Sequence, residues 1–156
     1  MIVLAVDPGF GRLGLAVLEK TKSKHLLLYS ACVVTDSKLS LPERLVIIAK
    51  ELKLLLKKYP LDCVVLEKLY FAKNKTTALR VAEVRGVILE LAAQNGLGVV
   101  EYSPAEIKVA VTGYGAATKA QVETMVRRLI YVPEGKKHDD EIDAIATGLT
   151  HLASWR

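Results

Sequence analysis

Four carboxylates in this chain are spaced so that they could converge on one cation site. Asp7 and Glu67 each end a short apolar run, and Asp140 and Asp143 lie three residues apart in a segment that reads as the start of a helix. No thiol and no histidine pair joins them. The donors are therefore hard oxygens, which suit Mg²⁺ or Mn²⁺ over zinc. Two such ions about 3.5 to 4 Å apart can activate a water and stabilise the leaving oxygen during in-line displacement at phosphorus. Left alone, four gathered acids would repel and some would stay protonated. Each acid also has a plainer account. Asp7, before Pro8-Gly9, can be a turn-former whose side chain bonds the backbone ahead of it. Asp139, Asp140 and Glu141 can stabilise a helix N-terminus. That account covers Asp143 poorly, because Ala144, Ile145 and Ala146 make its surroundings apolar, and a buried acid needs a partner.

The elements that must position these acids can be read from periodicity. Ile2 to Val6 is too short for an ordinary helix and has the Val/Ile content of a strand buried on both faces. Leu13 to Leu18 and Leu26 to Thr35 read as further strands, giving an antiparallel meander with short connections. The period then changes. Ser40-Leu41-Pro42-Glu43 carries the cap, proline and glutamate of a helix start. Leu41, Leu45, Ile48, Leu52 and Leu55 form one apolar stripe, with Lys50, Lys53, Lys57 and Lys58 as a solvated face, until Tyr59-Pro60 ends the helix. Asp62 to Glu67 repeats the opening figure of a short strand ending in an acid. A strand, helix, strand succession implies a right-handed crossover and a strand parallel to the first. As neighbours the two strands would lie about 4.8 Å apart and end at one rim, so Asp7 and Glu67 would face each other. Rims of open α/β sheets are where ligands usually bind.

Residues 68–75, Lys-Leu-Tyr-Phe-Ala-Lys-Asn-Lys, form a basic loop with two adjacent aromatics. Tyr70 and Phe71 among lysines suit stacking on exposed bases. The alternative is a loop packed down by Phe71 alone. Thr76 to Gln94 reads as a long helix that is apolar around most of its circumference, with Gly86 costing about 1 kcal/mol relative to Ala unless something must come close. One face is expected on the sheet. The other is expected on a second copy of the chain, or else in close packing within the protomer. Gly98 to Tyr102 is a fifth strand, and Ser103-Pro104-Ala105-Glu106 opens a short helix. Thr112 to Ala117 is a glycine-bearing loop without the Gly-Lys-Ser/Thr ending of a P-loop. A helix follows from Thr118 through Arg128. Lys108, Lys119, Arg127 and Arg128 contribute to a basic surface that Glu106 and Glu123 dilute. After a basic loop from Tyr131 to Lys137, residues 138–143 open the last helix.

At 156 residues, 51% of them hydrophobic, the chain suits one domain, residues 1–156, folded without disulfides. Cys32 and Cys63 sit in apolar runs and read as small buried side chains without chemistry. Twenty-two Lys and Arg against seventeen Asp and Glu give a net charge of +5. That excess favours an anionic partner such as nucleic acid. With neither a secretory signal pattern nor an apolar run near the roughly 20 residues a bilayer needs, the expectation is a cytoplasmic protein without a membrane partner.

Taken together, Asp7-Pro8-Gly9, Glu67 with Tyr70-Phe71-Ala72-Lys73-Asn74, the Arg85-Gly86 pair, the segment from Lys108 to Lys119, and Asp140-Glu141-Ile142-Asp143-Ala144 with Thr150-His151 resemble the bacterial RuvC family of Holliday-junction resolvases in order and spacing. The resemblance covers nearly the whole chain. It implies an α/β, ribonuclease H-like fold: a five-stranded mixed sheet, with an antiparallel meander of strands 1–3 and then parallel strands 4–5, flanked by helices. It also implies a homodimer that nicks four-way junction DNA in pairs with Mg²⁺, two ions per site, Mn²⁺ substituting. Asp7, Glu67, Asp140 and Asp143 match the family's metal-holding acids. Lys108 and Lys119 match lysines that assist cleavage or bind the scissile phosphate, Tyr70 matches the aromatic that stacks on a junction base, and Phe71 and Lys73 fall in the same DNA-binding loop. The RuvA–RuvB branch-migration complex is the implied partner. Departures exist. Asp139 beside Asp140 leaves a choice of register, which the three-residue spacing to Asp143 decides for Asp140. His138 and Asp139 stand close enough to act from the outer shell. Phe10-Gly11-Arg12-Leu13 differs from the family's polar turn, and Lys68 directly after Glu67 is unusual. The alternatives are a YqgF-like nuclease of the same fold acting on RNA, and a non-catalytic junction-binding module.

Overall fold

A computed structural model describes residues 1–69, 75–135 and 137–154. Tyr70, Phe71 and Lys73 lie outside the described residues. The element order is β1 (Ile2–Asp7), β2 (Arg12–Lys20), β3 (His25–Val34), α1 (Leu41–Lys58), β4 (Cys63–Glu67), α2 (Lys75–Gln94), β5 (Gly98–Tyr102), α3 (Pro104–Thr112), α4 (Lys119–Leu129) and α5 (Asp139–Ser154). The five strands form one sheet in the order β3-β2-β1-β4-β5. β1 runs antiparallel to β2 and β2 to β3, while β1, β4 and β5 are parallel. The meander and the crossover are as the periodicity predicts. Strands β2 and β3 are longer than their apolar runs because charged ends such as Glu19 and Lys20 still pair with Leu26 and His25.

Strand alternation sorts the core into two layers. Val3 and Ala5 of β1, Ala16 and Leu18 of β2, and Cys63 and Val65 of β4 face α3, α4 and α5. Leu4, Val6, Leu15, Val17, Val64 and Leu66 face α1 and α2. The small residues matter. Ala5 and Ala16 let α5 lie close on the centre of the sheet, and Gly148 completes the fit, since a Cβ there would meet Leu18 Cδ1 at 2.4 Å and Ala5 Cβ at 3.1 Å.

α1 starts as expected, with Pro42 in its first turn and Glu43 accepting from the Ser40 backbone N–H at 2.8 Å. Its buried face is Arg44, Ile48, Leu52 and Leu55. The apolar stripe is thus interrupted by a charge that periodicity alone does not explain. α2 packs on the sheet through Val84, Ile88, Leu91 and Ala92, but Leu79 is 65% exposed, Leu89 is 41% exposed and a Cβ at Gly86 would meet nothing within 4 Å. Close packing of Gly86 inside the protomer is therefore not what this helix has. Among the described residues no helix is long and apolar enough to cross a membrane.

Candidate active site

The same alternation that builds the core aims the acids. Residues 3 and 5 of β1 and residues 63 and 65 of β4 face α5, so Asp7 and Glu67, next in each series, face it too. Val6 pairs with Leu66, which sets the two acids side by side at one rim. From above, the first turn of α5 supplies Asp139, Asp140 and Glu141, with Asp143 one turn along.

The four acids sense one another. Burial pushes the Asp7 carboxyl up to about 7, and the charges of Glu67, Asp143 and Asp140 push in the same direction, against a smaller pull from Lys119. Glu67 and Asp143 are also raised, first by burial, with Lys119 opposing in both. Two cations hold Asp139, Asp140 and Asp143. Lys119 Nζ, at the start of α4, lies 3.3 Å from Asp143 Oδ2 and 3.5 Å from Asp139 Oδ2. Arg12 Nε stands 3.0 Å from Asp140 Oδ2, yet that buried oxygen accepts no hydrogen bond. The Arg12 contact is Coulombic and leaves a lone pair free. Among the described residues no three such side chains already form a closed ligand cage. The hard carboxylate donors, the mutual repulsion around Asp7 and the orphaned oxygen of Asp140 nonetheless fit a divalent cation.

Glu67, Asp143, Lys108 and Lys119 line one cavity of about 230 Å³ with Pro104, Ile107 and Val122. The glutamate capping box of α3 and the Thr118–Gln121 box of α4 fix where the two lysines start. A larger cavity of about 400 Å³, lined by Tyr114, Met125 and Arg128 among others, has no acid and lies apart from this chemistry. The charge of Asp140 acts on Asp7, whereas Asp139 is exposed and meets Lys119. His138 is exposed, and its carbonyl accepts from the N–H groups of Glu141 and Ile142. Lys68 reaches Glu106 at 3.9 Å, so its pairing is with an acid of α3.

Three contributors have contacts that the motifs alone do not give. Arg12 is one, legible only as a departure in the turn. Arg85 is another: its Nη1 donates to the Glu67 carbonyl oxygen at 2.9 Å while the same guanidinium pairs with Glu101, fixing the end of β4 from below. Glu141 is the third, a buried acid held by Ser30 Oγ at 2.6 Å and Lys137 Nζ at 2.8 Å, which anchors the first turn of α5 to β3. Cys63 lies at the far end of β4, with Sγ 3.5 Å from His151 Nε2 and its thiol pushed up to about 11 by burial. It is inert at neutral pH, in keeping with its sequence environment.

A mixed five-stranded sheet with carboxylates at the adjacent ends of β1 and β4 and an acid-bearing helix across them is a ribonuclease H-like arrangement. Residues 3–151 match the family model described as crossover junction endodeoxyribonuclease RuvC. The chain belongs to this family. It is 41% identical over 156 residues to the crossover junction endodeoxyribonuclease RuvC of Halothermothrix orenii, covering 100% of this chain and 94% of that protein. With the Petrotoga mobilis protein of the same name it shares 40% identity over 151 residues, 97% of this chain and 93% of that one. Among solved structures, T. thermophilus RuvC in complex with Holliday junction substrate superposes with a TM-score of 0.90 at 31% identity, over 97% of this chain and 92% of that one. The fowlpox virus Holliday junction resolvase has a TM-score of 0.59 at 18% identity, over 99% of this chain and 100% of that one, and shares the fold.

Proposed function

We propose that this chain is an endodeoxyribonuclease that resolves four-way DNA junctions by paired cuts in recombination and repair. The observation that carries the reading is the convergence of Asp7 and Glu67, from adjacent parallel strands, on the α5 acids Asp140 and Asp143. Family membership and the junction-bound relative support the substrate.

Asp7, Glu67, Asp140 and Asp143 would hold Mg²⁺, or Mn²⁺ in its place. Two bound ions would supply Lewis-acid activation of the attacking water and stabilisation of the leaving oxygen. The chain's residues do the rest. Asp7, whose carboxyl is pushed up to about 7 in the metal-free protein, would release its proton as the ions bind, which ties metal binding to pH. Lys119 offsets the charge of Asp143 and Asp139 and, with Lys108, lines the cavity beside Glu67 where a scissile phosphate would lie. Arg12 offsets the charge of Asp140 from 3.0 Å while leaving its buried oxygen a lone pair for the metal. Buried Ile107 and Val122 wall the cavity and restrict water.

Paired cuts need two sites, and the exposed stripe of α2, Leu79, Ala82, Gly86, Leu89 and Ala93, supports a homodimer about a two-fold axis. Its residues recur every three or four positions, a seam for a second copy. The RuvA–RuvB complex is the partner that the resemblance implies, and the cytoplasm the implied compartment. The test is incubation with Mg²⁺ and a synthetic four-way junction. Symmetric nicks across the junction are expected. Cleavage of RNA alone would favour the YqgF-like reading, and a gel shift without cutting would favour a binding module.

A further inference from the structure

On the side of the rim away from α5, a cavity of about 200 Å³ is lined by Phe10, Leu39, Leu41, Arg44 and Arg80. Three elements meet there: the turn after Asp7, the first turn of α1 and the second turn of α2. Two arginines line it and no acidic residue does.

Arg44 is the unusual member. It is only 9% exposed, and its guanidinium carbon lies 5.5 Å from the centre of the Phe10 ring. Its Nε is buried without a hydrogen-bond partner, and no acid among the described residues pairs with it. Buried arginines ordinarily come with a carboxylate, because an unpaired buried charge is costly. A leucine here would have continued the apolar face of α1. The neighbouring Glu43 does not neutralise it: that carboxylate is exposed and accepts from the Ser40 backbone and hydroxyl. Arg80 has a partner, Glu83 at 3.5 Å on its own helix, with both side chains about half exposed. Such a pair is weak and readily exchanged.

We infer that this cavity is a phosphate-binding site, taking a backbone phosphate of the DNA as it passes over the rim from the acids. The inference rests on the nuclease reading above and extends the substrate track to the other side of the sheet. A guanidinium presents a planar fork that matches phosphate oxygens, and stacking on Phe10 pre-orients that fork. The first turn of α1, which contributes Leu41 and Arg44, adds positive potential at the same place. Because Phe10 stands three residues after Asp7, a phosphate held here fixes the strand relative to the acids. Contacts of this kind set register and carry no base sequence.

The experiment measures binding of a synthetic four-way junction in EDTA across a salt series, for the unaltered protein, Arg44→Gln, Arg44→Lys and Arg80→Gln, with circular dichroism checking the fold. Each lost phosphate contact should lower the slope of log K against log salt by about 0.9. Arg44→Gln and Arg80→Gln should therefore both flatten the slope, whereas Arg44→Lys should keep the slope and spread the positions of the nicks made with Mg²⁺. If Arg44→Gln does not fold, Arg80→Gln carries the test alone. Folded variants with unchanged slopes, while the unaltered protein binds and cuts, would overturn the site and leave the nuclease reading intact. A DNA-free change in sedimentation on Arg44→Gln would assign the cavity to a second copy and overturn it equally. An unaltered protein that binds the junction without cutting would instead fail the nuclease reading, with the slopes still reporting on the phosphate.

Discussion

Gly14 and Asp140 meet backbone to backbone: a Cβ on Gly14 would stand 1.8 Å from the Asp140 carbonyl oxygen and 2.5 Å from its carbon. Gly14 is also the residue that pairs with Asp7 in the β1–β2 ladder. The strand position opposite the first acid is therefore kept bare so that the helix bearing the third can rest on it. Gly14→Ala should push the start of α5 off the sheet. A displacement of about 1 Å can cost about 100-fold in rate, and overpacking of this kind about 1–3 kcal/mol in stability. Single-turnover nicking and thermal unfolding would read both.

Asp7→Asn should abolish nicking and spare junction binding, as measured by gel shift in EDTA. It should also change the pH dependence of stability without metal. The folded carboxyl, raised to about 7, stays protonated above the ordinary aspartate value of 3.8, so the native state binds more protons than the unfolded one between those limits. Stability from this group is therefore complete below about pH 4 and falls as pH rises to about 7. Asn removes that loss. The expected gain is up to about a few kcal/mol at pH 8 and close to none at pH 4, followed by denaturant titrations at both. Added Mg²⁺ should stabilise the unaltered protein more than the variant.

Lys119→Met removes the charge that opposes the raised values of Asp7, Glu67 and Asp143. All three acids should then ionise at higher pH. The acid limb of the pH–rate profile should move upward, and the maximal rate should drop by about 100- to 1000-fold for loss of a charged group at the phosphate. An unmoved limb with a lower plateau would limit Lys119 to phosphate binding.

Gly86 separates a dimer seam from a bare helix face by the sign of one effect. On an exposed face Gly86→Ala should stabilise the protein by about 1 kcal/mol. Where a second α2 crosses closely, the added methyl should weaken the dimer, as sedimentation at falling concentration would show. Leu89→Glu should yield a monomer that retains its fold and loses paired cutting.

The strand ends and the layering were legible because β1 and β4 are buried on both faces and each terminates in an acid, so period and composition agree. The pairing of Asp7 with Glu67 follows from one crossover rule. The side contacts were harder to read. Arg85 reaches β4 from a helix on the opposite layer to α5, and nothing in a linear pattern joins residue 85 to the carbonyl of residue 67. Arg44 falls within an apolar stripe whose outer members, Leu41 and Leu45, are only half-buried. At its start the buried meridian of α1 passes through Arg44 rather than Leu45, while Ile48, Leu52 and Leu55 stay on the expected stripe, a local offset set by tertiary packing. Glu141 reads as one more acid in a helix cap until Ser30 and Lys137 bury it.

The order of the chain along the sheet has a further effect. Asp7 and Glu67 come from strands that can pair as soon as β4 is made, whereas Asp140 and Asp143 arrive on α5, which follows every strand in the sequence. With the proposed site, a partly synthesised protein would own half a scissile centre and no means of hydrolysis. Competence to break a chromosome would then be withheld until α5 docks, so that folding itself acts as the safety catch.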